Sequence, residues 1–509
     1  MNRSRISAID IGTNSIRSIV VEVLPDGGFK ILDDEKVSVR LGEGLNIHGI
    51  INDSAQERAI EALARLKKII DGYGVQAIEA VATSAVRTAT NGRKFIARIK
   101  QEVGIDVVTI SGEAEAELAA LSAFNNFDLE NTRFLLADIG GGSLELVTTV
   151  GHLTELVVSL NLGAVYLTER FLHSEPFSNQ DLLTLRKYVR KVLKGAFNGE
   201  RPAVQGIIGS GGTITSIATM AMGSRKETYA SIHGYEVLRS DVVHLQAMLA
   251  RKTLRERKEV PGLNPDRADI IVAGITVIDE LMDFFQVNNL KVNERGIREG
   301  LILRAIKKHH ATTAQKKPRS WRVSVLDFAR TCHYDEQHSL HVAHLAQKIF
   351  KSLSGVYNLG GAEQKLLESA AILHDIGYFI NYSSHHKHSY HLIRHAALIG
   401  FTPRERELIA QIARYHRKSL PKKKHEQFMR LAPADRKLVA QLGGILRLAD
   451  GLDRRRNSLV TDLEFQLSPS KLVINLIGAG DLSVELFGAK VKGDLLEEAF
   501  QLRLMVNGQ

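Results

Sequence analysis

Apolar and polar positions change rhythm twice along this chain, and the changes divide it. Over the first three hundred residues, short apolar runs that end in Gly- or Asp-containing turns alternate with longer stretches of helical period. Alternating strands are expected at Ile16 to Val23, Phe29 to Val39, Leu144 to Val150 and His152 to Leu160, and shorter apolar strands at Ile78 to Ala82, Val107 to Ile110 and Val204 to Ile208. Beyond Gly300 the rhythm breaks in a basic, polar stretch, Lys307 to Arg322, and then apolar residues recur at helical spacing to about residue 460. After Asp453 alternation returns, predicting strands over Lys471 to Leu476 and Asp481 to Leu486 and a short helix around Leu495 to Leu502.

The first part contains a repeat. Ala8-Ile-Asp10-Ile-Gly12-Thr-Asn14-Ser15 and Ala137-Asp138-Ile139-Gly140-Gly141-Gly142-Ser143 place Asp, Gly and Ser in the same register, each between an apolar strand and an alternating one. A polar turn and a third strand follow in both copies. Two related α/β lobes are implied. A single Asp-x-Gly turn is an ordinary hairpin, but two in register suggest a shared task. Glycines let backbone amides approach an anion, Thr13, Ser15 and Ser143 can donate hydroxyls, and a strand-end Asp can hold a divalent cation. A third Gly-rich turn, Gly209-Ser210-Gly211-Gly212-Thr213, opens a helix and offers its amides to the same kind of ligand.

Two strand-to-helix junctions carry polar side chains in their first helical turns: Thr83-Ser84 to Arg87, and Ser111-Gly112-Glu113-Ala114-Glu115. Carboxylates at a helix start are also ordinary electrostatics. A shared location at the carboxyl edge of a sheet, where α/β proteins form their crevice, gives them a functional reading.

With Ala82-Thr83-Ser84-Ala-Val-Arg87-Thr-Ala-Thr-Asn91, Ile110-Ser111-Gly112-x-x-Glu115-Ala116, Asp138-Ile-Gly140-Gly141-Gly142-Ser143-x-Glu145 and Gly296-Ile-Arg298-Glu299-Gly300 added to these turns, the chain resembles the exopolyphosphatase and guanosine pentaphosphate phosphatase family over residues 8 to 300. The resemblance implies an α/β fold with two actin/hexokinase-like (ribonuclease H-like) lobes, 1–125 and 126–305, and a cleft between them. It implies Glu115 as the catalytic glutamate, Arg87 as a catalytic, phosphate-contacting residue that adds a fixed positive charge at the terminal phosphoryl group, and Asp138 and Glu145 as the magnesium site. Phosphate contacts fall to Asp10, Thr13, Asn14, Ser15, Thr83, Gly140, Gly141, Gly142, Ser143, Gly211, Gly212, Thr213 and Arg298. Two positions depart from the family pattern: Ala114-Glu115 stands where a Glu-Glu pair is usual, and Thr13 replaces a common Ser.

Twelve of the 19 histidines lie between His333 and His425. His338, the pair His374-Asp375 and the late Asp450 resemble the four metal-ligand slots of the HD phosphohydrolase superfamily, which would hold manganese, iron or zinc. His388 and His416 stand where some members add ligands. The expected layout is therefore a basic linker at 306–322, an all-α HD-like domain at 323–465 and a small α+β tail at 466–509.

Charge adds a partner class. Net charge is +10 and the isoelectric point about 9.4, so polyanions are attracted, although charge alone equally describes a solvated surface. The expected substrate is inorganic polyphosphate or pppGpp, with nucleic acid not the expected partner and a homodimer implied by the resemblance. An HD nucleotide phosphohydrolase with the lobes as sensor, and a non-enzymatic polyanion scaffold, are the competing readings. Cys332 is the lone cysteine, so no intramolecular disulfide can form. No apolar run reaches spanning length and the start lacks a signal-peptide core, giving the expectation of a cytoplasmic protein that neither enters nor crosses a membrane.

Overall fold

The computed structural model describes residues 4–24, 27–129, 132–309 and 320–508. It divides into two compact units, Met1–Thr228 with Ile232–Pro318, and Tyr229–Ser231 with Arg319–Gln509. Most of the expected basic linker, 310–319, lies outside the described residues, while its first positions complete the helix Ile297–His309.

The first unit is built on two sheets of matching design. One contains β1 (Arg5–Ile11), β2 (Ser15–Val23), β3 (Phe29–Ser38), β4 (Ala77–Ala82) and β5 (Val107–Thr109), in the order β3-β2-β1-β4-β5. The other contains β6 (Arg133–Ile139), β7 (Leu144–Val150), β8 (Leu153–Leu160), β9 (Ile207–Ser210), β10 (Glu236–Leu238) and β11 (Asn289–Val292), in the order β10-β11-β9-β6-β7-β8. In each, an antiparallel meander of three strands is extended by parallel strands on the side of the first. Apart from the added edge strand β10, the second sheet repeats the first, so the sequence repeat is a repeat of topology. Two actin-like α/β lobes result.

Both faces of β1 are covered, which is why Ile6, Ala8, Ile9 and Ile11 are all buried and the strand reads as a continuous apolar run. The helix Gly112–Asn126 crosses between the lobes. Its small residues Ala116, Ala119, Ala120 and Ala123 let it pack closely. The helix Ile297–His309 lies against it, and a Cβ at Gly300 would stand 2.0 Å from the Leu118 carbonyl oxygen, so only glycine permits that approach. Glu299 accepts from Ser122 Oγ at 2.9 Å and from Asn125 Nδ2 at 3.2 Å, joining the two helices by buried polar bonds as well.

The second unit is helical, with Glu336–Tyr357, Gly361–Leu373, His385–His395, Pro403–Arg414 and Pro433–Leu452 around one apolar core. A three-stranded sheet, β12 (Val460–Ser468), β13 (Lys471–Gly478) and β14 (Arg503–Gly508), packs on that core. The strand expected over Asp481 to Leu486 is instead part of a helix, Ser483–Lys492. Asp481 accepts from the Ser483 amide at 2.9 Å at the start of that helix. Burial of Leu482, Glu485, Gly488 and Ala489 follows a helical period that the alternation of Leu482, Val484 and Leu486 conceals. No helix among the described residues is long and apolar enough to cross a membrane.

Candidate active site

Each duplicated hairpin closes in the same way. Gly12 N donates to Ser15 O at 3.1 Å and Gly140 N to Ser143 O at 3.0 Å, so the turn amides and hydroxyls form a loop at the strand end. The two loops meet. A Cβ on Gly141 would lie 2.8 Å from Thr13 Cβ, and one on Gly142 only 2.3 Å from Ser84 Oγ, so the first lobe's loops sit directly against the second lobe's glycines. The first loop is braced from behind, Asn14 O accepting from Val39 N and Arg40 N and Thr13 O from Gly42 N.

Between them lies a cavity of about 90 Å3. Asp10, Thr13, Asn14, Ser15, Thr83, Asp138, Gly140, Gly141, Gly142, Ser143, Glu145, Gly211, Gly212, Glu115 and Arg298 all border it, which brings together nearly every residue singled out for the cleft. Gly211 has a φ of +100°, and its Cβ would strike Ile139 O at 2.3 Å, so this turn demands glycine. Thr213 departs from expectation: its side chain is fully buried beside Gly274, and Thr215 borders the cavity in its place. Arg87 also differs. It stands behind Glu115 rather than on the wall, Nη1 donating to Glu115 Oε2 at 3.1 Å and to Ile110 O at 2.9 Å. Arg298 borders the cavity while its guanidinium donates to Ser18 O at 3.0 Å and pairs with Asp34.

Ser111 caps the helix that carries Glu115, accepting from Ala114 N at 3.2 Å. That cap fixes Glu115 in the first turn, 5 % exposed and facing the cavity. Burial pushes its carboxyl up to about 8, Asp10 adding to the shift and Arg87 opposing it. Asp10 rises to about 6 through burial, Asp138 rises for the same reason, and Glu145 rises well above the usual range through burial and then through Glu115 and Asp138. Gathering four carboxylates away from water is costly without a cation among them. Asp10 Oδ1 and Glu145 Oε2 are buried with no hydrogen-bond partner, so the residues fit a divalent ion bound by oxygen.

Three arginines on the wall, Arg17, Arg267 and Arg295, escape motif reading. Arg17 pairs across the first hairpin with Asp10, the register position that Glu145 takes opposite Asp138 in the second. The repeat itself carried that signal. Arg267 packs its guanidinium over Gly212 and is lowered to about 10 by burial and then by Arg17; nothing in its local sequence marks it.

In the helical unit, His338, His374 and Asp450 bring ligand atoms within 4.8 Å of one another, and Asp375 does so with His385 and His416. All six side chains are buried. His388, expected as an added ligand, falls in neither group. The helix His385–His395 starts directly after Ser384, which is in the left-handed conformation (φ 59°), and it is His385 in its first turn that joins the second group.

Duplicated lobes, facing phosphate-type turns and a buried glutamate between them define a two-lobed actin-like phosphatase. The model of the Ppx/GppA phosphatase family matches residues 19–309, and that of Ppx/GppA phosphatase domain III matches residues 322–479. The chain belongs to the Ppx/GppA phosphatase family. Among solved structures, a family member from Aquifex aeolicus is 29% identical with a TM-score of 0.52, the match covering 60% of this chain and 98% of that one. An exopolyphosphatase from Cytophaga hutchinsonii is 31% identical with a TM-score of 0.57, over 60% of this chain and 98% of that one.

Proposed function

We propose that the first unit is an exopolyphosphatase, removing the terminal phosphate of inorganic polyphosphate by attack of water. The placement of Glu115 beside two facing phosphate-type loops carries this reading. The loop amides and the hydroxyls of Thr13, Ser15 and Ser143 hold the terminal phosphoryl oxygens. Glu115 accepts a proton from water whose oxygen bonds to the terminal phosphorus. The bridging P–O bond breaks, releasing orthophosphate and a chain one unit shorter, with the departing oxygen carrying the electron pair. Arg87 positions Glu115 and moderates its basicity. A divalent cation, magnesium, would be held by Asp138 and Glu145 with help from Asp10, and would neutralise charge on the phosphoryl group.

The same chemistry on pppGpp is the second reading. The absence of any aromatic side chain among the described residues of the cavity wall favours polyphosphate, since a guanine ring would find no stacking surface there. Arginines 17, 267, 295 and 298 on the wall suit a chain of phosphates. Initial rates of orthophosphate release at matched substrate decide between them. A higher kcat/KM on long polyphosphate than on pppGpp is expected; a preference for pppGpp overturns the assignment, and release from neither overturns the hydrolytic reading. We further propose a cytoplasmic homodimer as its working form.

A further inference from the structure

Cleavage leaves a product with no forward way out. In the polyphosphatase reading the terminal phosphoryl group sits deepest, against the loops at Thr13, Ser15 and Ser143, and the shortened chain still fills the arginine-lined mouth after the bond breaks. Orthophosphate is then enclosed between the chain and the loops.

Behind the loops lies a second cavity of about 140 Å3, larger than the cleft cavity itself. Both cavities are bordered by Thr13, Ser84 and Gly142. The wall between them is one side chain thick. A Cβ on Gly142 would stand 2.3 Å from Ser84 Oγ and 3.2 Å from Thr13 Oγ1, so two hydroxyls of the first lobe close directly on a glycine of the second. Thr13 is the fixed post: its methyl is seated against Gly42, where a Cβ would lie 2.2 Å from Thr13 Cγ2, and a β-branched side chain held there keeps one rotamer. Ser84 is unbranched and is the part of the wall that can turn aside.

Away from that wall the rear cavity is bordered by Leu45, Asn46, Thr88, Asn161, Val165 and Tyr166, and among the described residues no charged side chain lines it. An anion moving backward therefore leaves the buried carboxylates of the cleft and meets only amides, hydroxyls and apolar groups, which neither repel it nor hold it. Beside Asn46 the lobes are tied by a single carboxylate, Glu169 accepting from Gly44 N at 3.1 Å and from Asn46 Nδ2 at 2.8 Å. Breaking those two hydrogen bonds frees the seam there.

Resting on the polyphosphatase reading, we propose that orthophosphate leaves through this rear cavity, passing between Ser84 and Gly142, while the shortened chain stays in the mouth for the next cut.

A reversible plug tests the route. Asn161 is exposed, so a cysteine placed there can be reached by reagent, whereas the native Cys332 is buried. Full-length Asn161→Cys is modified with benzyl methanethiosulfonate, which puts a phenyl ring at the rear cavity and is removed by reductant; wild type treated alike is the control. With long polyphosphate and enzyme in excess, rapid quench measures orthophosphate formed and a fluorescent phosphate-binding protein measures orthophosphate freed. The modified protein should form orthophosphate in its first turnover at the unmodified rate and free it slower by about tenfold or more, with reductant restoring release. Release that keeps pace with formation, or formation that falls as far as release, overturns the rear route. No orthophosphate formed by the unmodified protein overturns the polyphosphatase reading, and the route with it.

Discussion

At the scale of single residues, the two hairpins show how a duplicated motif becomes asymmetric. Asp10 and Asp138 occupy the same strand-end position, yet the residue opposite one is Arg17 and opposite the other Glu145. One lobe therefore supplies a cation and the other a second carboxylate, and the cavity gains a basic wall and an acidic one. Glu115 feels the carboxylates Asp10 and Asp138 in front and Arg87 behind. Burial holds its carboxyl above the usual carboxylate range, so it gains base character as pH rises. Phosphate release should therefore climb with pH, on a limb that spans the range in which Glu115 loses its proton. Arg87 holds the carboxyl down, so Arg87→Ala should move the limb to higher pH as well as lower the rate. A pH–rate profile of both proteins checks this; a limb that stays in place with Arg87 removed would show that the arginine does not act through Glu115.

At the scale of elements, the structure explains why Gly296-Ile-Arg298-Glu299-Gly300 carries a signature although it meets the cavity only at its edge. Its residues lock the helix Ile297–His309 to the helix bearing Glu115: Glu299 accepts from Ser122, and Gly300 lets the backbones touch. Gly300→Ala should destabilise the first unit by about 1–3 kcal/mol, the usual range for forcing a methyl group into a filled contact. The shift of its urea midpoint measures the effect, and an unchanged midpoint would contradict the packing. The duplicated strands and turns of this unit were legible because they are punctuated by Gly or Asp at fixed offsets, whereas the short strands β10 and β11, only three and four residues long, were not anticipated. The helix at Ser483 was not, because Leu482, Val484 and Leu486 alternate like a strand over a stretch shorter than two helical turns, and burial at Gly488 and Ala489 lies just beyond it. His385 was missed for a related reason. Several histidines crowd 385–395, His385 and His386 are both buried, and only the start of the helix decides that His385 is the one whose ring joins Asp375 and His416.

At the scale of the whole molecule, the repeat predicted two lobes and their facing loops, because topology follows from the order of strands and turns. Contacts that depend on long-range packing were beyond it. Arg267 reaches the cavity from the short 3-10 helix Pro265–Arg267, which carries no motif, Thr213 turns away into the core, and Arg87 lies behind the glutamate. The net charge of +10 agrees with a polyanionic substrate without choosing one. The central claim concerns one carboxylate, and its most direct test is the steady-state release of orthophosphate from polyphosphate by Glu115→Gln, with substrate binding followed in parallel. Binding within a few-fold of wild type and a rate lower by about 100 to 10,000-fold is the expected result; turnover at the wild-type rate would contradict it.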